Sequence, residues 1–475
     1  MRQTLKILVT AVAVLTIAGC VPGRSSPTAI PASPTTQPIE GTPTQAAAVQ
    51  PSPTPSPVVT PKPSPTLVPT VTRRPPPTPT SEQVATLSPE VVTAMETIEL
   101  EMEALRGLDE NEPISRTLVS RQELGAYLDQ QFLEDYTADE IEADVRVLAA
   151  FDFVEVGYDL RQVLLDVYSA EVLGLYEDDE DTLYVVTEGG FSLLNQLTFA
   201  HEYVHGLQDQ HFDLDTFVDD DRLSDDQVLA RMALVEGDAS QAMSQYLMLH
   251  ISDLTNQDLQ ELTEEADSSD GAALASAPAI IRETVLFPYT YGLEFVLALY
   301  EGGWRAVDAA FAQPPQSTEQ ILHPQKYLDG DEPQIIALPP LTDTLGSGWT
   351  LLESEVLGEF QTSLYLSQQV AQETVELASE GWDGDRYVVY TRDGTDVLVF
   401  ATVWDTEADR EEFVDAYRQY AEAKYRGVGH GTGEAEMRWE APGEVTLLTW
   451  KGDRAFIVVA PDAATVDRVL GALDL

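Results

Sequence analysis

Apolar positions after residue 85 recur mainly at helical spacing. In "SPEVVTAMETIELEMEALRGL" they repeat every three or four residues, and Ser88 as cap with Pro89 at the first position marks a helix start. The same spacing predicts helices in "SRQELGAYLDQQF", "ADEIEADVRVLAAF" and "DLRQVLLDVYSAEVL". The period then changes in "GLYEDDEDTLYVV", which predicts two short strands at 174–176 and 182–186 around an acidic turn.

Two further helices have clear start signals. Ser192 is a candidate N-cap, and apolar residues follow it at helical spacing, so the histidine-rich "HEYVHGLQDQH" lies on a helix. In "RLSDDQVLARMALVEGDASQAMSQYL", Ser224 and Gln227 have the spacing of a capping box. The second helix is therefore expected to begin near Asp225.

The remaining pattern changes from helices to strands. "ETVLFPYTYGLEFVLALYEGGW" predicts a buried helix with Pro288 near its first turn. Further on, "RYVVYTRDGTDVLVFATVW" predicts a hairpin around Asp393 and Gly394, and "EVTLLTWKGDRAFIVVA" predicts another, each followed by a helix. We expect an α+β protein, with a mostly helical domain carrying a small sheet at 86–345 and a small α+β domain at 346–475.

The N-terminal residues have a different composition. "MRQTLKILVTAVAVLTIAGC" has a basic start, an apolar run too short for a bilayer of about 30 Å, and small residues before Cys20, the only cysteine. This layout predicts a signal peptide at 1–20. It resembles the bacterial lipoprotein signal, which implies a lipid on Cys20 and an exported protein anchored at the outer side of the cytoplasmic membrane or the cell surface. A cleaved signal with an incidental cysteine is the alternative. Residues 21–85, rich in Pro, Thr and Ser, predict a disordered linker.

The charge of the chain excludes one class of partner. Among 475 residues, 81 are acidic and 26 are basic, which gives a formal net charge of −55. A protein of this charge repels phosphate backbones, so nucleic acid binding is not expected.

The pattern in "HEYVHGLQDQH" favours metal chemistry. His201 and His205 are four positions apart, about 40° around a helix, so both rings project from one face and can share a metal ion. Glu202 completes His-Glu-x-x-His, in which the glutamate lies beside the ligands without being one of them. Two imidazoles and one more ligand hold Zn²⁺ with a position left for water, from which Glu202 would take a proton. A closed structural zinc site and two surface histidines are the competing interpretations.

Two residues are candidates for the third ligand. His211 has the outer spacing of His-Glu-x-x-His-x-x-Gly-x-x-His, but Gln208 replaces the glycine at which that helix must turn. On a continuous helix His211 would lie about 240° from the metal face and bond near the helix end. Glu236 instead falls in the apolar stripe of the second helix, where a carboxylate is costly unless it is paired or binds metal. Gly237 beside it indicates close approach of another backbone, so Glu236 is the predicted ligand.

These residues resemble the gluzincin branch of zinc metallopeptidases, in which a glutamate on a second helix follows His-Glu-x-x-His. "HEYVHGLQDQHFDL", "ALVEGDA", "GGWRAVDAAF" and "PPQSTEQILHPQKYL" are together similar to a group of largely uncharacterised bacterial metallopeptidases, often exported. The similarity extends from about residue 172 to residue 328. It implies a zincin-like fold, with His201, His205 and Glu236 as zinc ligands and Glu202 as catalytic base.

Other residues of the site are candidates through the same resemblance. Thermolysin has an orienting aspartate four residues after its glutamate ligand, whereas this chain has Ser240 there and Asp238 two residues after the glutamate. Asp238 is therefore the candidate for the orienting role. A tyrosine or histidine stabilises the oxyanion in similar peptidases, and Tyr289, Tyr291 and His323 are the candidates here.

Together these features predict a membrane-anchored zinc endopeptidase that cleaves peptides or proteins outside the cytoplasm. The competing class is a non-catalytic cell-envelope binding or scaffold lipoprotein that keeps the fold. Glu202 favours the enzyme, because a structural zinc site has no use for it. The helices predicted between residues 88 and 173 are either an inhibitory prosegment or part of the core.

Overall fold

A computed structural model describes residues 87–132, 136–178, 181–187, 190–220, 222–266, 272–433 and 435–473. The signal peptide predicted at 1–20, Cys20 and the linker predicted at 21–85 lie outside these residues. No helix in the described ranges is both long enough and apolar enough to cross a membrane.

Helices dominate the first part of the described chain and strands dominate the last part. The helices are α1 (Pro89–Arg106), α2 (Arg121–Phe132), α3 (Ala138–Ala150), α4 (Leu160–Glu171), α5 (Leu193–Phe212), α6 (Leu214–Val218), α7 (Asp225–His250), α8 (Asn256–Ala266), α9 (Ala272–Ser276), α10 (Ala279–Tyr300), α11 (Trp304–Ala312), α12 (Thr318–Leu322), α13 (Pro324–Asp329), α14 (Thr342–Leu345), α15 (Gly358–Ser367), α16 (Gln372–Ser379), α17 (Glu407–Tyr425) and α18 (Ala463–Leu470). The strands are β1 (Ser115–Val119), β2 (Gly174–Glu177), β3 (Thr182–Val186), β4 (Thr350–Glu355), β5 (Trp382–Arg392), β6 (Thr395–Trp404), β7 (His430–Gly433), β8 (Glu436–Ala441), β9 (Glu444–Lys451) and β10 (Arg454–Ala460).

The predicted start of α10 is wrong. The helix begins at Ala279, so Pro288 lies in its interior instead of its first turn. An interior proline removes one backbone hydrogen bond and crowds the preceding turn. The helix nevertheless continues, because apolar side chains on both sides of the proline are buried in the same core cluster. Here burial outweighs the local preference of proline for helix starts.

The first sheet is small and lies against α5. Its strand order is β1-β3-β2, which leaves β2 as an outer strand. The predicted hairpin is confirmed, since β2 and β3 pair antiparallel. Strand β1 was not predicted from the sequence; it pairs parallel with β3.

Helices α7 and α10 bring their backbones into contact where Gly237 meets Gly292. A Cβ atom placed on Gly237 would lie 2.1 Å from the backbone oxygen of Gly292, and one placed on Gly292 would lie 2.2 Å from that of Ala233. Only glycine lets two backbones approach this closely. This is the close approach that Gly237 predicts, and it fixes α10 against the helix that carries Glu236.

The second sheet fills the C-terminal part of the chain. Its described strands follow the order β4-β5-β6-β10-β9-β8-β7, and both predicted hairpins, β5–β6 and β9–β10, are confirmed as antiparallel pairs. Helices α3, α15, α16 and α17 cover one face, and α14 and α18 cover the other. The α+β class is therefore confirmed.

The division into one domain at 86–345 and a second at 346–475 stays a prediction. Residues on the two sides of this boundary contact each other. Helix α3 contributes apolar side chains to the core beneath the second sheet. Arg146 of α3 also donates to Asp396 of β6 at 2.6 Å.

We expect Gly292→Ala to destabilise the protein, because the new methyl group must push two backbones apart. Overpacking of this kind costs about 1–3 kcal/mol or more of the free energy of unfolding. Gly125→Ala in α2 is the matched control, since its Cβ would meet Ser169 Cβ at an ordinary 3.8 Å. Urea unfolding followed by circular dichroism measures both variants. Equal stability of the two would contradict the tight crossing.

Candidate metal centre

Helix α5 presents two imidazoles on one face. Its start is fixed by Ser192, whose side chain accepts from the backbone N–H of Asn195. The ring centroids of His201 and His205 are 4.7 Å apart, and their Nε2 atoms are 3.0 Å apart. A spacing of four residues on a helix produces this alignment.

Helix α7 brings a carboxylate to the same point. Glu236 Oε2 lies 3.1 Å from His201 Nε2 and 3.4 Å from His205 Nε2. The site is almost fully buried, with exposed fractions of 0% for His201, 3% for Glu202, 6% for Glu236 and 9% for His205. The carboxylate therefore points into the core, between the two rings.

The spacing of His201, His205 and Glu236 fits a divalent metal ion. One ligand atom from each lies within 4.8 Å of the other two. A tetrahedral ion with ligands at about 2.0–2.1 Å requires ligand atoms about 3.3 Å apart. The observed separations run from 3.0 Å to 3.4 Å. Across the described residues, no other three histidine, cysteine or acidic side chains come together in this way.

The charges of these three groups depend on one another. Burial disfavours the Glu236 anion, but the two imidazoles hold its pKa down at about 2. Burial lowers the pKa of His201. Burial also opposes protonation of His205, yet the carboxylate of Glu236 raises its pKa to about 9. A metal ion at this point would replace the His205 proton as the counter-charge of Glu236.

Glu202 lies beside the group, against β2. Burial raises its pKa to about 8, and the backbone N–H of Tyr176 donates to its carboxylate. A Cβ atom on Gly174 would lie 2.7 Å from Glu202 Cγ and 2.8 Å from its Oε1. Strand β2 therefore leaves room for this carboxylate only because residue 174 is glycine. A nearby divalent cation would lower the pKa of Glu202.

His211 lies away from the group. Helix α5 continues through Gln208 to Phe212, so it contains no turn that could bring His211 back. His211 Nε2 lies instead 2.8 Å from the backbone oxygen of Asp109, and its side chain is exposed. The structure thus places His211 in a hydrogen bond near the helix end.

Tyr289, Tyr291 and His323, the candidates for stabilising an oxyanion, have different neighbours in the structure. Tyr291 is 40% exposed and packs on another aromatic ring of α10. His323 Nε2 lies 2.9 Å from Glu359 Oε1. Tyr289 is buried, and its ring centroid lies 6.3 Å from that of His201. Of the three candidates, Tyr289 is the one that the structure brings next to a residue of the group.

Asp238 is linked to His205 through Gln208 and is also bonded to Arg106. The sequence assigned neither Gln208 nor Arg106 a role at the site. Asp238 Oδ2 accepts from Gln208 Nε2 at 2.8 Å, and Gln208 Oε1 lies 2.8 Å from His205 Nδ1. Its Oδ1 accepts from Arg106 Nε at 2.6 Å. One sequence feature could have drawn attention to Gln208: it occupies the position where a glycine would be needed to turn the helix.

Comparisons with known proteins concern the C-terminal region. Residues 350–470 match a family described as "Domain of unknown function (DUF8575)". No curated protein and no solved structure matches the chain. The matched residues run from the start of β4 to the end of α18, so the family covers the second sheet and not the residues around His201.

We expect Glu236→Ala to lose bound divalent metal and His211→Ala to retain it, because only Glu236 faces the two Nε2 atoms. Loss of a direct ligand should cost more than the roughly 10–100-fold in affinity that an outer partner contributes. Elemental analysis of the metal that remains after gel filtration measures both variants. The reverse order of retention would favour His211 as the ligand.

Proposed function

We propose that this protein is a zinc-dependent peptidase whose metal is held by His201, His205 and Glu236. The observation that carries the proposal is the position of Glu202, buried next to the group without belonging to it. A structural metal site has no use for such a carboxylate, whereas hydrolysis by activated water requires a base there. The grouping of His201, His205 and Glu236 supports the gluzincin-type site proposed from the sequence.

Zinc suits this donor set better than calcium or magnesium does. Two imidazole nitrogens and one carboxylate oxygen leave a fourth tetrahedral position open, which is the ligand set of several catalytic zinc sites. Calcium and magnesium prefer oxygen ligands throughout. The nitrogen donors of His201 and His205 therefore favour zinc.

The protein's own residues would handle the proton in the proposed reaction. When bound, zinc supplies Lewis acidity, which lowers the pKa of water and polarises the scissile carbonyl. Glu202 accepts one proton from the attacking water, the water oxygen bonds to the carbonyl carbon, and the C–N bond breaks. Glu202 then delivers this proton to the leaving amine nitrogen. The N–H of Tyr176 holds the Glu202 carboxylate in place between the two transfers.

Strand β2 is the proposed docking edge for the substrate peptide. It is one of the two outer strands of the first sheet, and Tyr176 within it contacts Glu202. Residues 174–176 of this strand are buried and Glu177 is half-buried. The neighbouring chain must therefore move aside before an extended peptide can add to this edge through main-chain hydrogen bonds. Pairing of this kind holds the peptide on both sides of the bond to be cut, which suits an endopeptidase.

The proposed enzyme works outside the cytoplasm. This part of the proposal rests on the signal peptide at 1–20, the lipid on Cys20 and the linker at 21–85, all predicted from the sequence. Peptides or proteins are the proposed substrates, and the membrane is contacted through the N-terminal lipid.

A non-catalytic cell-envelope scaffold is the competing proposal. Its support is the burial of the group, because no member is more than 9% exposed and structural metal sites are closed. In the peptidase, substrate would enter from the side of His205 and Glu236, which are the more exposed members of the metal group. Zinc content without hydrolysis in the wild-type protein would favour the scaffold.

Glu202→Gln should keep zinc and fold while lowering kcat/KM on an unstructured protein such as casein by about 10²–10⁴-fold. The reason is that an amide cannot accept the proton from water. Glu294→Gln, an exposed change on α10, is the control and should leave hydrolysis unchanged. Fluorescent casein cleavage, metal content and circular dichroism measure the three properties. Undiminished cleavage by Glu202→Gln would overturn the peptidase assignment.

Gly174→Ala should lower kcat by about 100-fold with zinc retained, because a displaced catalytic group loses about this much rate. The new methyl group would occupy the space of Glu202 Cγ and Oε1. Gly125→Ala, whose Cβ meets Ser169 Cβ at an ordinary 3.8 Å, serves as the control for a generic glycine substitution. Full activity in Gly174→Ala would contradict the proposed position of the base.

A further inference from the structure

We infer that Gln208, Asp238 and Arg106 are positioning residues that fix the His205 ring with hydrogen on Nδ1 and so direct its Nε2 toward the metal. The inference rests on the proposed function only in that His205 is a metal ligand. It requires no peptide hydrolysis, so the two can fail independently.

The chain of contacts begins at a buried cation. Arg106, the last residue of α1, is fully buried and donates from Nε to Asp238 at 2.6 Å and from a terminal nitrogen to Asp308 at 2.7 Å. Its guanidinium also lies 4.6 Å from the centroid of the Trp304 ring. A guanidinium has donors only, so Asp238 Oδ1 must act as an acceptor. These contacts hold Asp238 in one orientation.

The side chain of Gln208 then has one possible orientation. One end of its amide lies 2.9 Å from the backbone oxygen of Val235 and 2.8 Å from Asp238 Oδ2. A backbone carbonyl can only accept, so this end must be the NH₂ group. The assignment of nitrogen and oxygen in an amide, which usually requires such a network, is settled here by Val235. The oxygen of Gln208 is therefore the atom that faces His205.

This orientation determines where the His205 hydrogen lies. Gln208 Oε1 is 2.8 Å from His205 Nδ1, and an amide oxygen cannot donate, so Nδ1 must carry the hydrogen. The conclusion holds for the neutral and the protonated ring alike. In the neutral ring, the lone pair is on Nε2, which faces His201 and Glu236. The ring is thus held in the tautomer that binds metal through Nε2.

The two histidines differ in this respect. His201 Nδ1 is buried and has no hydrogen-bond partner among the described residues. The tautomer of His201 is therefore not fixed in the same way. The positioning device belongs to His205, the more exposed of the two rings.

The first test uses the wild-type protein labelled with ¹⁵N-histidine. Long-range ¹H–¹⁵N spectra distinguish protonated from unprotonated ring nitrogens, and His205→Gln assigns the signals of this ring. We expect Nδ1 of His205 to be protonated in the metal-free and in the zinc-loaded protein. An unprotonated Nδ1 in either form would overturn the inference.

The second test compares Asp238→Asn with Asp226→Asn. Both acids are buried on α7, but Asp226 accepts from Thr318 and not from Gln208. An amide at position 238 keeps its oxygen toward Arg106 and turns its NH₂ group toward Gln208 Nε2, so Gln208 loses one acceptor and its side chain is pushed away from this position. Zinc affinity, measured by competition with a chromophoric chelator, should fall about 10–100-fold in Asp238→Asn and stay within about threefold in the control. Equal affinities would overturn the inference.

A further variant covers the case in which Asp238→Asn does not fold. Gln208→Met keeps the length of the side chain and removes its hydrogen bonds, so the same loss of zinc affinity is expected. Wild-type affinity in Gln208→Met would contradict the positioning role. A wild-type protein that binds zinc but cleaves no peptide would refute the peptidase and leave this inference standing. If the wild type binds no zinc, the metal proposal fails, and the Nδ1 spectrum still decides the orientation of His205.

Discussion

The buried carboxylate of Glu236 is the constraint on which the helical region depends. A lone carboxylate in an apolar core costs several kcal/mol, and two imidazoles from α5 offset that cost. Their atoms must stay near the Glu236 oxygen, so α5 and α7 cannot slide past each other by even one turn. At the next residue of α7, Gly237 packs its backbone against Gly292 of α10. The position of the carboxylate is therefore fixed both by the two imidazoles and by the crossing of α7 with α10.

Charge balance around this carboxylate favours a divalent cation. Glu202, Glu236 and Asp238 place three carboxyl groups in the core, and Arg106 is the buried cation that contacts one of them. Ionised together, the three acids exceed Arg106 by two negative charges, and the proton that Glu236 favours on His205 offsets one of them. A low-dielectric interior disfavours the charge that remains. Burial raises the pKa of Glu202 to about 8, so a proton on Glu202 partly relieves this excess in the absence of metal. A divalent ion would neutralise the excess while leaving Glu202 available as a base.

Features set by local geometry could be predicted from the sequence, and most features set by distant contacts could not. Glu236 is the exception, because an acid in an apolar stripe indicates a distant partner. Ser192 caps α5 through a contact three residues away, and spacing alone aligns the two imidazoles. Arg106, in contrast, is 132 positions from Asp238, and nothing local marks their contact. The role of Gln208 between Asp238 and His205 likewise depends on a residue 30 positions away. Pro288 misled the prediction of α10 because burial outweighed a local preference. Strand β1 could not be predicted either, because it forms only by parallel pairing with β3, a partner far along the chain.

The contacts of α1 decide between the two interpretations of the helices that precede β2. A removable inhibitory segment would cover the site from outside and leave a complete core behind. Instead, α1 buries Met95, Ile98 and Met102 in the same apolar cluster as residues of α5 and α7. Its last residue, Arg106, supplies the charge that holds Asp238. Removal of α1 would leave Asp238 buried without its cation, and only the Val235 carbonyl would still hold Gln208. Helix α1 is therefore part of the core that orients His205.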